Sequence, residues 1–499
     1  MKKAISALII KLLITVSVFS KNEPNILFIL ADDLGYSDTT PYGNEYHETP
    51  NIARIANKGM TFDNFHTTSP VCSPSRASIL TGLYAERLGM VQPACHIQQV
   101  ILEPYVRDRE WPDMKLKTPI STTRLDTSFP TYAKALKEAG YLTAHYGKWH
   151  LGHEPYTPLQ HGFDIDVPHT ESHGPKVTYF GPTKYSESFT LREGEHLEDR
   201  MATEAVQFIH ENKDKPFLLN YWSFSVHSPY YAKMEILNKY REKAKNLPAD
   251  AKHKNPMHAA MIETFDTNVG RLLDALEEAG IADNTIIIFS SDNGGTIHSS
   301  YTEEKHWGNG TIDEMVRMDI TSNYPLKEGK GSIYDGGTAV PFMIVWPQKI
   351  KPGSRSDVLF SGADIFPTLV DMVGVSMPAN TEIDGVSQVP AIQGEELVRD
   401  TLYGFWPNYI ASTGAIPAAW IRHGDYKLTR FFYAAPDGSH LHHLHNVKKD
   451  KGETTNIAEK YPEKVQEMIR LMDQHFTDTG AVLPVPNPAY DPTFVRSAK

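Results

Sequence analysis

Only two cysteines, Cys72 and Cys95, occur in 499 residues. A disulfide framework is therefore excluded, a single Cys72–Cys95 bond stays open, and the chain must rest on its core and on any bound metal. Long apolar runs are missing too. The run from Ala4 to Phe19 is broken by Lys11 and falls short of the roughly 18 to 20 apolar residues that span a bilayer. With Lys2 and Lys3 before it and the small residues Val18 and Ser20 at its end, residues 1–20 read as a secretory signal peptide. Export to a periplasmic or extracellular space is expected, with no transmembrane anchor. Basic residues are outnumbered: 49 Lys and Arg face 61 Asp and Glu, a formal charge of −12, which argues against a nucleic-acid partner. No low-complexity tract or internal repeat is present.

What remains is ordinary globular composition, 40% hydrophobic and 22% charged, in a chain long enough for two or three domains. Short apolar runs end abruptly in polar residues. Ile26 to Ala31 precedes Asp32 and Asp33, Tyr141 to Tyr146 precedes Lys148, Phe217 to Phe224 precedes His227, and Thr285 to Ser290 precedes Asp292. Helix-like periodicity over Thr49 to Gly59, Phe129 to Gly140, Ala202 to Asn212 and Met257 to Gly280 alternates with them. The pattern predicts an α/β fold, a large mixed and mostly parallel sheet flanked by helices. Ligands of such sheets collect at the carboxyl ends of the strands, so these polar residues should converge.

The stretch Val71-Cys72-Ser73-Pro74-Ser75-Arg76 sets a cysteine at the mouth of a helix. Pro74 suits the first helical position, and the positive end of the helix dipole would face Cys72, a setting that favours anions. Asp32, Asp33, Asp292 and Asn293 offer hard oxygen ligands for Ca2+ or Mg2+, although such pairs also cap helices. Lys148 and His150, two apart in what should be an extended segment, can point the same way. Lys330 lies between Gly329 and Gly331, where backbone can approach a ligand closely.

The motif C-S-P-S-R followed by A-S-I-L-T-G resembles the signature of the type I sulfatases, members of the alkaline-phosphatase-like superfamily. N-I-L-F-I-L-A-D-D-L-G, G-K-W-H-L-G at 147–152, S-S-D-N-G-G at 290–295 and G-K-G-S-I-Y-D-G-G at 329–337 are similar to that family in the same order. The resemblance implies that Cys72 is oxidised to formylglycine by a maturation enzyme and that its hydrate attacks the sulfur of a sulfate ester. It implies a cation, usually calcium, held by Asp32, Asp33, Asp292, Asn293 and the modified Cys72. It also implies that Arg76 orients the nucleophile, that Lys148, His227 and Lys330 bind sulfate, and that His150 holds or deprotonates a hydroxyl. His227 or Lys330 would protonate the departing oxygen. The chain departs from the family at Asp335, where glutamate is frequent, and at Ala339, where arginine is frequent.

Beyond about residue 390 the βα rhythm gives way to strand-like residues around Trp420 to Leu428 and a final helix from about Pro462 to Phe476. The expected division is a catalytic domain over 21–390 and a C-terminal α+β subdomain with an antiparallel sheet over 391–499. Irregular segments at 96–128 with Arg107, Arg109 and Trp111, 169–195 with His173, and 298–325 with His306 and Trp307 would set substrate choice. By resemblance to exported bacterial members, the expected substrate is a sulfated carbohydrate of the ulvan, carrageenan or glycosaminoglycan kind. The rival readings are a phosphomonoesterase or phosphodiesterase of the same superfamily, a non-catalytic sulfated-glycan-binding protein, and a hydrolase using unmodified Cys72.

Overall fold

The computed structural model describes residues 23–297, 319–378, 381–395, 399–410 and 413–495. The signal peptide expected over residues 1–20, and His306 and Trp307, lie outside them. Asn25–Ala31 is buried at all seven positions, as befits a strand inside a sheet covered on both faces. This is β1. With it in one sheet lie β2 (Met60–Phe62), β3 (Leu142–Gly147), β4 (Ile165–Val167), β5 (Phe217–Trp222), β6 (Thr285–Ser291), β7 (Phe342–Val345) and β8 (Ser354–Ser356). The spatial order is β8-β2-β7-β6-β1-β5-β3-β4. Leu27 sits beside Leu219 and Ile287 in parallel register, and among the described residues only β7 runs against its neighbours in this sheet. The expected mixed, mostly parallel sheet is the one found.

Alternation along β1 divides it between two cores. Leu27, Ile29 and Ala31 pack with helices α1 (Pro50–Lys58), α4 (Leu197–Asn212) and α5 (Pro256–Glu278), once α2 (Cys72–Thr81) and α3 (Tyr132–Glu138) are counted on the other side. Ile26, Phe28 and Leu30 pack with α2, α3 and α6 (Ile365–Met372). Several boundaries differ from the sequence reading. The helix expected from Phe129 starts at Tyr132, because Pro130 is followed by Thr131, whose side chain accepts the Lys134 N–H as a cap. The helix expected from Ala202 starts at Leu197, with Glu198 and Asp199 in a first turn that favours acids. The strand expected to reach Phe224 ends at Trp222.

A second sheet is an antiparallel meander of β9 (Thr401–Trp406), β10 (Ala418–His423), β11 (Tyr426–Phe431) and β12 (Leu441–Asn446). Helix α7 (Pro462–Thr479) packs Met468 and Met472 with Ala419, Ile421 and Leu428 of this sheet. Trp420, Leu402 and Trp406 instead cluster with Val71 and Ile333 of the large domain. The second sheet therefore braces the segment before Cys72 and the loop carrying Lys330.

His145 on β3 is buried among the rings of Trp149, Phe163 and Trp222, and burial pushes its pKa down to about 3. An unfolded histidine titrates near 6.5, so the native state loses stability as pH falls through that value toward 3. We expect His145→Phe to gain about 2 kcal/mol on wild type between pH 8 and pH 5. Denaturant titrations at both pH values check this, and a difference that does not change with pH would contradict it.

Candidate active site

Four strand ends meet at one edge of the large sheet. The Asp292 N–H donates to the Ala31 carbonyl at 3.2 Å, the Asp32 N–H to Ser225 O at 2.8 Å, and the Lys148 N–H to Trp222 O at 2.7 Å. These bonds carry the residues after β1, β3, β5 and β6 into one space. Gly147 makes the turn out of β3 at φ 115°, and a Cβ there would lie 1.9 Å from Trp222 O. No other residue fits that turn.

Helix α2 brings Cys72 and Arg76 to the same place, and all of its residues are buried. The helix begins at Cys72, with Val71 extended before it, so the expectation that Pro74 holds the first position is corrected. Pro74 occupies the third, which is tolerated because N–H groups of the first turn have no intrahelical acceptor. Cys72 and Cys95 are both free thiols, which closes the open question of a bond between them. The Cys72 Sγ lies 3.3 Å from His150 Nδ1. Burial pushes the Cys72 pKa up, in spite of Lys148 and Lys330 nearby, so the unmodified thiol is a poor nucleophile.

Lys148 and His150 do not share an extended segment. His150 has a left-handed φ of 54°, and the two side chains part, Lys148 Nζ donating to Asp32 Oδ2 at 2.7 Å while His150 turns to Cys72. Asp33 also has a left-handed φ, 62°, the kind of backbone strain that functional sites retain. The Lys330 Nζ donates to Asp33 Oδ2 at 2.7 Å, and Arg76 donates from Nε to Asp292 Oδ2 at 2.8 Å and from its other side to the Lys148 carbonyl at 2.9 Å. The His227 Nε2 lies 3.8 Å from Asp33 Oδ2. The candidates Asp32, Asp33, Cys72, Arg76, Lys148, His150, His227, Asp292 and Lys330 are thus at this edge.

The electrostatics are those of crowded charge in a dry place. Burial would raise Asp33, but Lys330, His227 and Lys148 outweigh it and hold the carboxyl well below its usual range. Burial would lower Lys330, but Asp33 and Cys72 raise it above the usual ammonium value. Asp292 is pushed up to about 6 by burial and by Asp32 and Asp33, against Arg76 and Lys148. Burial and Lys330 push His227 down to about 3, and burial and Lys148 hold His150 well below its usual value, so both imidazoles are neutral.

Among the described residues, Asp32 Oδ1, which lies 3.7 Å from Arg76 Nη2, and Asn293 Oδ1 are buried oxygens without a hydrogen-bond partner. The Asn293 amide donates to Asp33 Oδ1 at 2.8 Å, which fixes its oxygen as the free end. Ligand atoms of Asp32, Asp33 and His227 lie within 4.8 Å of one another. Unpaired oxygens beside three carboxylates fit a hard divalent cation, and Asp32, Asp33, Asp292 and Asn293 are the residues to hold it.

Other contributors carried little sequence signal. His96 Nδ1 lies 3.3 Å from His150 Nε2, and Thr296 donates its hydroxyl to Asp33 Oδ2 at 3.3 Å. Glu198 accepts from Ser223 Oγ and from the Phe224 and Ser225 N–H groups, setting the turn that delivers His227. Of the proposed rim residues, His173 reaches the site, its ring centroid 5.8 Å from His150 and 6.3 Å from His227. Arg107 instead lies 3.6 Å from Glu110, and Arg109 and Trp111 are exposed.

The Lys330 loop is held from the second sheet. The buried Lys427 Nζ donates to Asp335 Oδ1 at 2.6 Å and to Ile333 O at 3.1 Å, and Glu453 Oε1 lies 3.0 Å away. Arg422 adds positive charge near Asp335, so cations from the second sheet serve the loop in which Ala339 stands.

Comparison with known proteins fits this geometry. A sulfatase family model matches residues 24–375. The chain belongs to the sulfatase family. A model for the C-terminal region of N-sulphoglucosamine sulphohydrolase matches residues 329–480. The human N-acetylgalactosamine-6-sulfatase is 31% identical over 415 residues, covering 78% of this chain and 70% of that protein. A sulfatase of Formosa agariphila is 29% identical over 518 aligned positions, covering 89% and 86%. The crystal structure of Ps i-CgsB in complex with k-i-k-neocarrahexaose superposes with a TM-score of 0.70 at 27% identity, covering 91% of this chain and 92% of that one. This sulfatase is a sulfuric ester hydrolase of alkaline-phosphatase-like fold.

Removing the Lys427 cation leaves Asp335 and Glu453 buried together. We expect Lys427→Met to lose about 3–5 kcal/mol of stability, the usual result of breaking a buried pair from one side. Denaturant titration checks this, and a loss below about 1 kcal/mol would mean that the carboxyls simply protonate.

Proposed function

We propose that this sulfatase hydrolyses a sulfate ester on a carbohydrate, a poly- or oligosaccharide, with formylglycine made from Cys72 and with Ca2+. The observation that carries the reading is the placement of Cys72 at the first position of α2, 3.3 Å from a neutral His150 and beside the cluster of Asp32, Asp33 and Asp292. Formylglycine would supply the oxygen nucleophile that the raised thiol cannot, and Asp32, Asp33, Asp292 and Asn293 would hold a cation that supplies Lewis acidity.

The remaining roles follow from the side chains. His150, neutral and with Nδ1 toward position 72, takes up a proton from the nucleophilic group there. Arg76, tied to Asp292 and to the Lys148 carbonyl, orients that group by holding the first turn of α2 against the strand ends. Lys148 and Lys330 keep their cations at the carboxylate cluster and balance charge on sulfuryl oxygens. The His227 Nδ1 lies 2.6 Å from the Ser228 carbonyl, so Nδ1 carries the proton and Nε2 faces the site. In this tautomer Nε2 only accepts, so the Lys330 ammonium is the group placed to give the departing oxygen its proton.

A carbohydrate substrate is supported by the relatives, an N-acetylgalactosamine-6-sulfatase among them, and by a structural relative in complex with k-i-k-neocarrahexaose. Residues 391–499 are proposed as the subdomain that walls one side of the cleft. We also propose that the chain is exported and that a maturation enzyme acts on Cys72. Among the described residues no helix is long and apolar enough to cross a membrane.

The test is the mass of the Cys72 peptide from protein made alongside a formylglycine-generating enzyme, followed by sulfate release from sulfated sugars with Ca2+ present. We expect the aldehyde or its hydrate, turnover abolished in Cys72→Ala, and kcat lowered on the order of 10²–10⁴-fold in His227→Ala. A plain thiol, under conditions that mature a control sulfatase, would refute the formylglycine mechanism. Release of phosphate but not sulfate from matched esters would refute the substrate.

A further inference from the structure

A second polar cluster lies away from Cys72 and is not used by the reaction. Asp38 follows the Asp32-Asp33 turn, His47 precedes α1, and His258 stands in the first turn of α5. All three are buried, and one ligand atom from each falls within 4.8 Å of the others. His253 adds a fourth group, its Nδ1 lying 3.5 Å from Asp38 Oδ1 and its ring centroid 5.0 Å from that of His47.

The bonding of these groups is incomplete in a specific way. His258 Nδ1 is buried and has no hydrogen-bond partner among the described residues. The His47 Nδ1 lies 2.9 Å from the Asp38 backbone carbonyl and 3.2 Å from Asn44 Nδ2, and an Nδ1–H donated to that carbonyl is the kind of contact that orients a metal-binding imidazole. Asp38 accepts the Gly35 N–H on Oδ2 at 2.7 Å and the Thr321 hydroxyl on Oδ1, which leaves lone pairs on a carboxylate with about four acceptor sites. Among the described residues its ion-pair partners are His47 and His253, with no lysine or arginine.

We propose that Asp38, His47 and His258, with His253 as a fourth donor, form a structural site for a divalent transition metal of the zinc class. The donor set carries the assignment. Three imidazoles and one carboxylate suit zinc, whereas the all-oxygen set at Asp32, Asp33, Asp292 and Asn293 suits calcium. An entry exists, since a cleft of about 480 Å³ is lined by Ser37, Tyr46, Lys252, His253 and Tyr324. A metal here would tie the loop after β1 to α5 and, through Thr321, to the segment that leads to Lys330. The site stands independently of the proposed substrate.

The test uses the full chain, stripped with a chelator and titrated with Co2+ or Zn2+ under excess Ca2+. Asp33→Asn weakens the catalytic cluster and His258→Gln the proposed site. We expect one equivalent of transition metal per chain by elemental analysis and visible Co2+ bands that persist in Asp33→Asn. His258→Gln should weaken Zn2+ binding by about tenfold or more. X-ray absorption of Zn2+-loaded Asp33→Asn, which does not depend on the folding of His258→Gln, should show two or more imidazoles at about 2.0–2.1 Å. No retained transition metal in wild type would overturn the proposal. So would bands lost in Asp33→Asn but kept in His258→Gln, or an oxygen-only coordination shell.

Discussion

Three carboxylates at adjoining strand ends, sealed from water, repel one another and must be neutralised by whatever the fold can bring. Asp32, Asp33 and Asp292 are all buried, and the penalty for each unpaired buried ion is several kcal/mol. The cations that answer them come from separate parts of the chain: Arg76 from α2, Lys148 from the turn after β3, and Lys330 from the loop before β7. Each ion pair also fixes the path of the backbone that carries it. The crowded acids are thus an assembly device, because the loops bearing the reactive groups are stable only when gathered round them.

The same logic continues one layer out. Lys330 can serve Asp33 only if its loop is held, and that loop ends in Asp335, whose carboxylate is met by Lys427 from the second sheet. Gly294 and Gly336 make the junction possible, since a Cβ on Gly294 would lie 1.8 Å from the Gly336 carbonyl. Trp420 and Leu402 then cover Val71 and Ile333 with apolar surface. The second sheet is for this reason a structural part of the catalytic edge, and changes made far from Cys72 in sequence reach it through two contacts.

Much of this was legible from residue order because strand ends announce themselves. An apolar run that stops at Asp32-Asp33 or at Asp292-Asn293 places those side chains at one edge of a parallel sheet, and the C-S-P-S-R motif carried its own helix. Orientation was less legible. The left-handed backbone at His150, which separates it from Lys148, and the close packing of Gly147 on Trp222 are set by partners distant in sequence, and no local pattern reveals them. Glu198 and His96 were missed for a related reason. Their roles rest on partners distant in sequence, and a first-turn acid or one histidine among 22 looks like its many ordinary counterparts. Asp38, His47 and His258 are harder still, since three unrelated segments contribute one residue each.

The charge count also bears on how an anionic ester could approach a chain of formal charge −12. Screening limits the reach of surface charge to about 8 Å at physiological salt, so the field in the cleft is set chiefly by its own walls. There, Arg76, Lys148 and Lys330 match Asp32, Asp33 and Asp292 in number, leaving the edge near neutrality, with uncharged histidines around it. A near-neutral pocket offers a sulfate ester little attraction. A divalent cation on the free oxygens of Asp32 and Asn293 would tip the balance to positive at the point where sulfuryl oxygens must lie. In that arrangement the metal site and the anion site would be one electrostatic unit, with the acids holding the cation that offsets them.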